Sequence, residues 1–188
     1  MIHSWRLTEL LDANVLYPAP VRDILLHLAS LDLYKPKWSS EIQDEWIRNL
    51  LMKRPDLTDE SLQKTKSAMN SAFPDADVDD FESLIQGIQL PDEDDRHVVA
   101  AAIKGRVDVI VTSNLKDFPE AELSKYELEV QSPDEFISNL INLDRKICLK
   151  ALENQVKSLT NPPKTREEVL ETLTTCGLTR TVDLLKET

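Results

Sequence analysis

Residues 107–119, VDVIVTSNLKDFP, contain the run on which the fold is decided. Val107 to Thr112 reads as the clearest buried strand of the chain. It is a short β-branched apolar run bounded by polar residues, as expected where both faces of a strand are covered. At its carboxyl end stand Thr112, Asn114 and Asp117. Immediately upstream, LPDEDDRHVVAAAI (90–103) reads as a turn at Leu90-Pro91 and an acidic entrance at Asp92 to Asp95. An Ala-rich helix then runs through Lys104 and feeds the strand. Asp residues suit such an entrance through capping and the helix dipole.

The same alternation extends in both directions. Leu7 to Leu11 reads as a buried strand ending at Asp12, followed by a helix over Val21 to Ser30 with an Ile24, Leu25, Leu28 stripe. Leu33 to Trp38 is a short extended segment. Ser39 or Ser40 caps the next helix, on which Ile42, Trp46, Ile47, Leu50 and Leu51 share a face and which carries Glu45. Thr58 opens a helix that stops before Pro74, and a short helix lies around Phe81 to Gln86. Tyr126 to Gln131 is a weaker strand. Ser132-Pro133-Asp134-Glu135 then reads as a capping box with Pro at the first helical position. Strands alternating with helices imply a three-layer α/β/α domain with a mostly parallel central sheet. Ligands of such sheets gather at the strand carboxyl ends, an edge that helix N-termini share. Asp12, Glu45, Asp95, and Asn114 with Asp117 can all reach that edge.

From about Leu143 the pattern is helical only. Ile147, Ala151 and Val156 share one helix, which ends at Asn161-Pro162-Pro163. Thr165-Arg166-Glu167-Glu168 is a second capping box, and Gly177 is a C-cap before a last helix with Leu178, Val182 and Leu185. The expected division is an α/β domain over residues 1–142 and a small all-helical extension over residues 143–188. The apolar faces of the extension should pack on the core or on a second copy in a homodimer.

Composition narrows the function classes. With 41% apolar and 30% charged residues the chain is neither disordered nor membrane-like. Only 3 Gly residues leave no Gly-rich phosphate loop or dinucleotide fingerprint. Polar His3, Ser4, Arg6, Thr8 and Glu9 interrupt any secretory leader, and the longest apolar run, Val98 to Ile103, is far too short for a membrane span. Cys148 and Cys176 lack a paired-thiol motif and suit reduced cysteines. A soluble cytoplasmic protein with no membrane partner is expected. A formal charge of −12 argues against generic duplex binding. The cations do fall in groups, one of Lys35, Lys37, Arg48, Lys53 and Arg54 and one of Arg96, Lys104 and Arg106; such groups are usually solvated faces.

The acids carry the chemistry. Each cluster lies beside an apolar run, where an ionised carboxylate is costly unless compensated. A divalent cation compensates converging oxygens, and an all-oxygen set without His or Cys suits Mg²⁺ or Mn²⁺ and phosphate chemistry. Each residue also has a plainer reading. Asp12 could simply cap a turn. Glu45 lies roughly 60° outside the apolar stripe of its helix and could be a solvated side chain. Asp95 competes with Asp92, Glu93 and Asp94, any of which could cap the helix. The fourth position is filled by Asn114 or Asp117, of which only the second supplies charge. Thr112 is placed to orient Asp12 through its hydroxyl. His97 reads as a surface or supporting residue rather than a ligand, and Trp46 as core rather than a base-stacking platform.

Two families resemble parts of this pattern. LLDANVL and VIVTSN resemble the strand ends of haloacid-dehalogenase-type phosphatases, whose metal-binding acid pair comes last in the chain. Here the acidic run 92–95 precedes VTSN, so chain order rejects that likeness. The order LLDANVLY, then Ser39 with Glu45 and Leu50, then LPDEDDRHVVAAAI, then VIVTSNLKDFP resembles PIN domains, nucleases that include bacterial VapC-type toxins. This likeness covers roughly residues 5–140. The tail NPPKTREEVLETLTTCGLTRTVDLL is similar to the helical extension of a longer VapC-like subgroup. The resemblance implies a metal-dependent endoribonuclease in which Asp12, Asp95 and Asp117 hold Mg²⁺ or Mn²⁺. Glu45 would hold a second ion or orient the attacking water, and cleavage would leave a 5′-phosphate and a 3′-hydroxyl. It further implies an RNA substrate and, for a type II toxin, a cognate antitoxin offering an Arg to the carboxylates. A PIN-fold binding module without catalysis is the alternative that Asn114 keeps open.

Overall fold

The computed structural model describes residues 7–187. His3, Ser4 and Arg6, on which the expected lack of a secretory leader partly rests, lie outside the described residues. Four short parallel strands, β1 (Thr8–Leu11), β2 (Lys35–Lys37), β3 (Val109–Val111) and β4 (Glu129–Gln131), form one sheet in the order β2-β1-β3-β4. The two central strands, TELL and VIV, are the apolar ones; Leu10, Leu11, Ile110 and Val111 are fully buried. Pro36, which has no N–H to donate, sits on edge strand β2, where the sheet tolerates it. Paired rows run Thr8–Lys35, Glu9–Pro36 and Leu10–Lys37 on one side of β1. On the other they run Glu9–Val109, Leu10–Ile110 and Leu11–Val111.

Parallel neighbours need crossovers, and helices supply them. α1 (Ala13–Leu16) and α2 (Ala19–Ser30) link β1 to β2. The long return to β3 passes through α3 (Ser40–Lys53), α4 (Asp59–Ala72), α5 (Glu82–Ile85) and α6 (Arg96–Gly105). Ser39 caps α3, its hydroxyl accepting from Ile42 N at 3.2 Å, and Thr58 caps α4 in the same way. Val98 to Ala102 are all fully buried, so α6 is covered on every side and packs against β3. α7 (Glu120–Leu123) joins β3 to β4. The chain leaves β1 toward one edge and β3 toward the other, so their adjacent carboxyl ends form the topological switch point. Trp46 is core, as its stripe predicts: it is fully buried, with its ring N–H on Gln43 Oε1 at 2.7 Å.

α8 (Pro133–Leu143), α9 (Arg145–Ser158), α10 (Arg166–Thr175) and α11 (Thr179–Lys186) follow the sheet. They pack back onto the α/β layers, α9 and α10 against α2 and α11 against α8. Gln155 Nε2 donates to Pro20 O at 2.9 Å, and Asp134 accepts from Arg180 N and Thr181 N at 3.0 and 2.8 Å. The Thr165 capping box is complete. The one expected at Ser132 is only half made: Ser132 Oγ accepts from Glu135 N, but the Glu135 carboxylate does not return to the backbone. Asp134, beside it, is turned instead to the start of α11. Gly177 adopts φ 93°, the left-handed geometry that ends α10. Among the described residues no helix is long and apolar enough to cross a membrane.

Glu9 breaks the apolar pattern of β1. It is fully buried with neither carboxylate oxygen hydrogen-bonded. Burial, with like charge from Asp108 and Glu129, pushes its pKa up to about 8. Between about pH 4.5 and 8 the folded chain therefore keeps a proton that the unfolded chain has lost, and stability falls as pH rises through that window. Glu9→Gln should melt several degrees above the parent protein at pH 8, with the gap closing toward pH 5. Thermal melts at both pH values check this; an offset independent of pH would contradict it.

Candidate active site

Asp12 stands where β1 ends, and its two oxygens serve different partners. Oδ1 accepts from Ala13 N at 2.7 Å, capping α1. Oδ2 accepts from Thr112 Oγ1 at 2.7 Å, at the end of β3, and from Asn14 Nδ2 at 2.6 Å. The carboxylate is 4% exposed. Burial raises its pKa and Glu45 adds to the rise, against the lowering effect of the Thr112 and Ala13 hydrogen bonds and of His97; the net result lies above the ordinary carboxylate value. The plain capping reading of Asp12 is thus true and incomplete, because only one of its oxygens caps.

Asn14 escaped the sequence reading. Its amide donates to Asp12 and, at 2.9 Å, to Thr112 Oγ1, and its carbonyl accepts from Ser113 N at 2.8 Å. It bridges the loops after β1 and β3. The Asp-x-Asn spacing was its only signal, and that entered only through the rejected phosphatase likeness.

Asp95 occupies the N-cap position of α6 but makes no capping bond. Its Oδ2 is buried with no hydrogen-bond partner. Burial, then the negative charges of Asp12, Asp92, Asp117 and Glu45, push its pKa up to about 6. The competing acids are placed otherwise. Glu93 pairs with Arg96 at 2.6 Å, Asp94 is exposed, and Asp92 accepts from Asp94 N while still acting on Asp95.

Glu45 projects from α3, half-exposed, with its Oε2 3.7 Å from His97 Nε2. On the other side of the ring, Glu41 Oε2 lies 3.7 Å from Nδ1. His97 is therefore no surface residue: it is buried between two carboxylates at the rim of the cluster. Burial disfavours its charged form, but Glu45, Glu41 and Asp12 outweigh this and raise its pKa. The two candidates for the fourth position are joined, since Asn114 Nδ2 donates to Asp117 Oδ2. Asn114 N also donates to Thr112 Oγ1 at 3.1 Å, so Thr112, Asn114 and Asp117 form one chain of contacts leading from Asp12.

Asp12, Glu45 and Asp117 thus lie within electrostatic reach of Asp95, and among the described residues no Lys or Arg is paired to any of the four. Among the described residues no three His, Cys, Asp or Glu side chains are gathered into a metal-ligand set. The donors still fit a hard divalent cation. Mg²⁺ takes one or two carboxylates and keeps its remaining ligands as water, and Asp95 Oδ2 is a buried oxygen lacking a partner.

The family described as "PIN domain" matches residues 9–116, and the family described as "VapC50 C-terminal domain" matches residues 133–187. The Mycobacterium tuberculosis protein named "Putative ribonuclease VapC50" is 37% identical over 79 residues. That alignment covers 42% of this chain and 47% of the relative, so the chain spans about half the length of the curated relative it matches. No solved structure matches the chain significantly. With more than half of its length matched, the chain belongs to the PIN domain family.

Proposed function

We propose that this protein is a divalent-metal-dependent endoribonuclease acting as the toxin of a type II toxin–antitoxin pair. The observation that carries the proposal is the uncompensated charge at Asp95. Its buried oxygen has no partner, and burial, then the charges of Asp12, Asp92, Asp117 and Glu45, push its pKa up to about 6. Such a cluster costs folding energy unless a cation offsets it. Asp12 and Asp95 would hold Mg²⁺ or Mn²⁺, which when bound supplies a lowered water pKa and neutralises charge on the scissile phosphate. Glu45 would orient the attacking water, and Asp117 would add charge at the same edge. Thr112 and Asn114, with Asn14, fix the directions of Asp12 and Asp117. The name of the mycobacterial relative supports RNA as substrate.

An antitoxin segment offering an Arg to these carboxylates, a homodimer and a cytoplasmic location belong to the same proposal. So does the division into residues 1–142 and 143–188; two separate family matches support two units, although the C-terminal one begins at residue 133, ten residues before that boundary. One observation favours the second reading, a PIN-fold module without catalysis: no three ligand side chains among the described residues are gathered for a metal.

Incubating the full chain with mixed-sequence RNA in Mn²⁺ or chelator separates the two readings. Cleavage should require the metal. Asp12→Asn and Asp95→Asn should each lower it at least about 100-fold, Asp94→Asn should stay near the parent rate, and Asp117→Asn should lose more than Asn114→Ala. A parent protein that leaves RNA intact in Mn²⁺ contradicts catalysis. The pKa of Asp95 gives an independent check. Because its folded value is raised from 3.8 to about 6, the metal-free protein loses stability as pH climbs through that window. In chelator, Asp95→Asn should therefore raise the melting temperature at pH 8 and change it little at pH 4.

A further inference from the structure

An acidic cluster in a chain of net charge −12 repels the phosphates it would act on, so an RNA strand needs positive charge at the rim. Arg96, Arg54 and Lys66 are committed to Glu93, Asp56 and Asp44, whereas Arg48, Lys53 and Lys116 make no ion pair among the described residues. Of these three, Lys53 is the one that stands over an aromatic ring. It is exposed, makes no ion pair among the described residues, and holds its ammonium 5.7 Å from the centre of the Tyr17 ring. The pair sits on the two elements that carry site acids. Tyr17 is the C-cap of α1, the short helix that Asp12 opens, so it lies about 7 Å beyond Asp12 along the axis. Lys53 closes α3, two turns past Glu45, and α1 and α3 pack together.

The backbone that carries the ring is anchored. Tyr17 N donates to Ala13 O at 2.9 Å, and the buried Arg22 donates to Leu16 O at 2.9 Å while its guanidinium stacks 4.7 Å over Trp46. The ring itself is half-exposed, and its hydroxyl makes no hydrogen bond among the described residues. An exposed cation–aromatic pair contributes little to folding. A half-exposed aromatic ring with an exposed ammonium beside it is, in contrast, the equipment that single-stranded RNA uses, one element for a base face and one for a phosphate.

We propose that Tyr17 and Lys53 form an RNA subsite flanking the acidic cluster, with Tyr17 stacking a base of single-stranded RNA and Lys53 binding a backbone phosphate. The subsite rests on the nuclease reading and adds to it the substrate form, an unpaired strand with splayed bases. A base-paired duplex keeps its base faces stacked on each other and gains nothing from Tyr17.

The test uses the full chain and a fluorescent, unstructured RNA of mixed sequence. Binding is followed by anisotropy in Ca²⁺, and cleavage by steady-state kinetics in Mn²⁺. Tyr17→Leu should weaken binding about ten-fold and raise KM with kcat near the parent value, while Tyr17→Phe keeps both. Lys53→Gln should weaken binding and lower the slope of log K against log salt by about 0.7. Tyr17→Leu should leave the binding of a duplex of the same sequence unchanged. Because Lys53 is exposed, Lys53→Gln carries the test alone should Tyr17→Leu fail to fold. Parent-like RNA affinity and KM in both variants overturn the subsite and leave the nuclease standing. A parent protein that neither binds nor cuts RNA overturns both.

Discussion

The hydrogen bond from Thr112 Oγ1 to Asp12 Oδ2 is the contact on which the site depends. It joins the carboxyl ends of the two central strands at the point where the chain diverges to either edge of the sheet. Because Thr112 donates to Asp12, its oxygen is free to accept from Asn14 and from the Asn114 backbone. One hydroxyl therefore sets the direction of the first acid and the start of the loop that carries Asp117. A Val in its place would keep the strand and leave a buried carboxylate short of a donor, a costly exchange.

Two buried acids three residues apart, Glu9 within β1 and Asp12 at its end, illustrate different consequences of the same physics. Glu9 and Asp12 are both withdrawn from water, and burial raises both pKa values. Glu9 has no donors, so its carboxyl stays protonated to about pH 8. Asp12 accepts three hydrogen bonds, which counter burial and favour the ionised form. Asp95 lies between these cases, with an unpartnered oxygen and four acids acting on it. The difference between a mere stability liability and a ligand-ready acid is thus the presence of aimed donors and of an open edge, which Glu9 lacks.

Much of this arrangement is legible in the sequence because it is local. The run VIVT, the strand ending at Asp12, the Ser39 cap and the Thr165 capping box each depend on a few consecutive residues, and the structure contains all of them. Features that depend on tertiary partners were not legible. His97 reads as either a surface or a supporting residue, and only the packing of α3, which brings Glu41 and Glu45 against it, decides for the second. Asp95 looks like one capping acid among four, and only the fold shows that it caps nothing. Asn14 works across 98 residues to Thr112, and Ser132 loses half of its capping box although the spacing is right. The fourth-position choice between Asn114 and Asp117 had no local answer, since the two side chains are bonded to each other.

The account's central claim is that these carboxylates form a divalent-cation site at the switch point of the sheet. Titrating Mn²⁺ into the metal-free full chain at pH 7.5, with free Mn²⁺ read by electron paramagnetic resonance, tests it most directly. Saturable binding that weakens at least about ten-fold in Asp95→Asn, with the fold intact by circular dichroism, is the predicted result. Absence of saturable binding, or equal affinity in the parent and Asp95→Asn proteins, would contradict it.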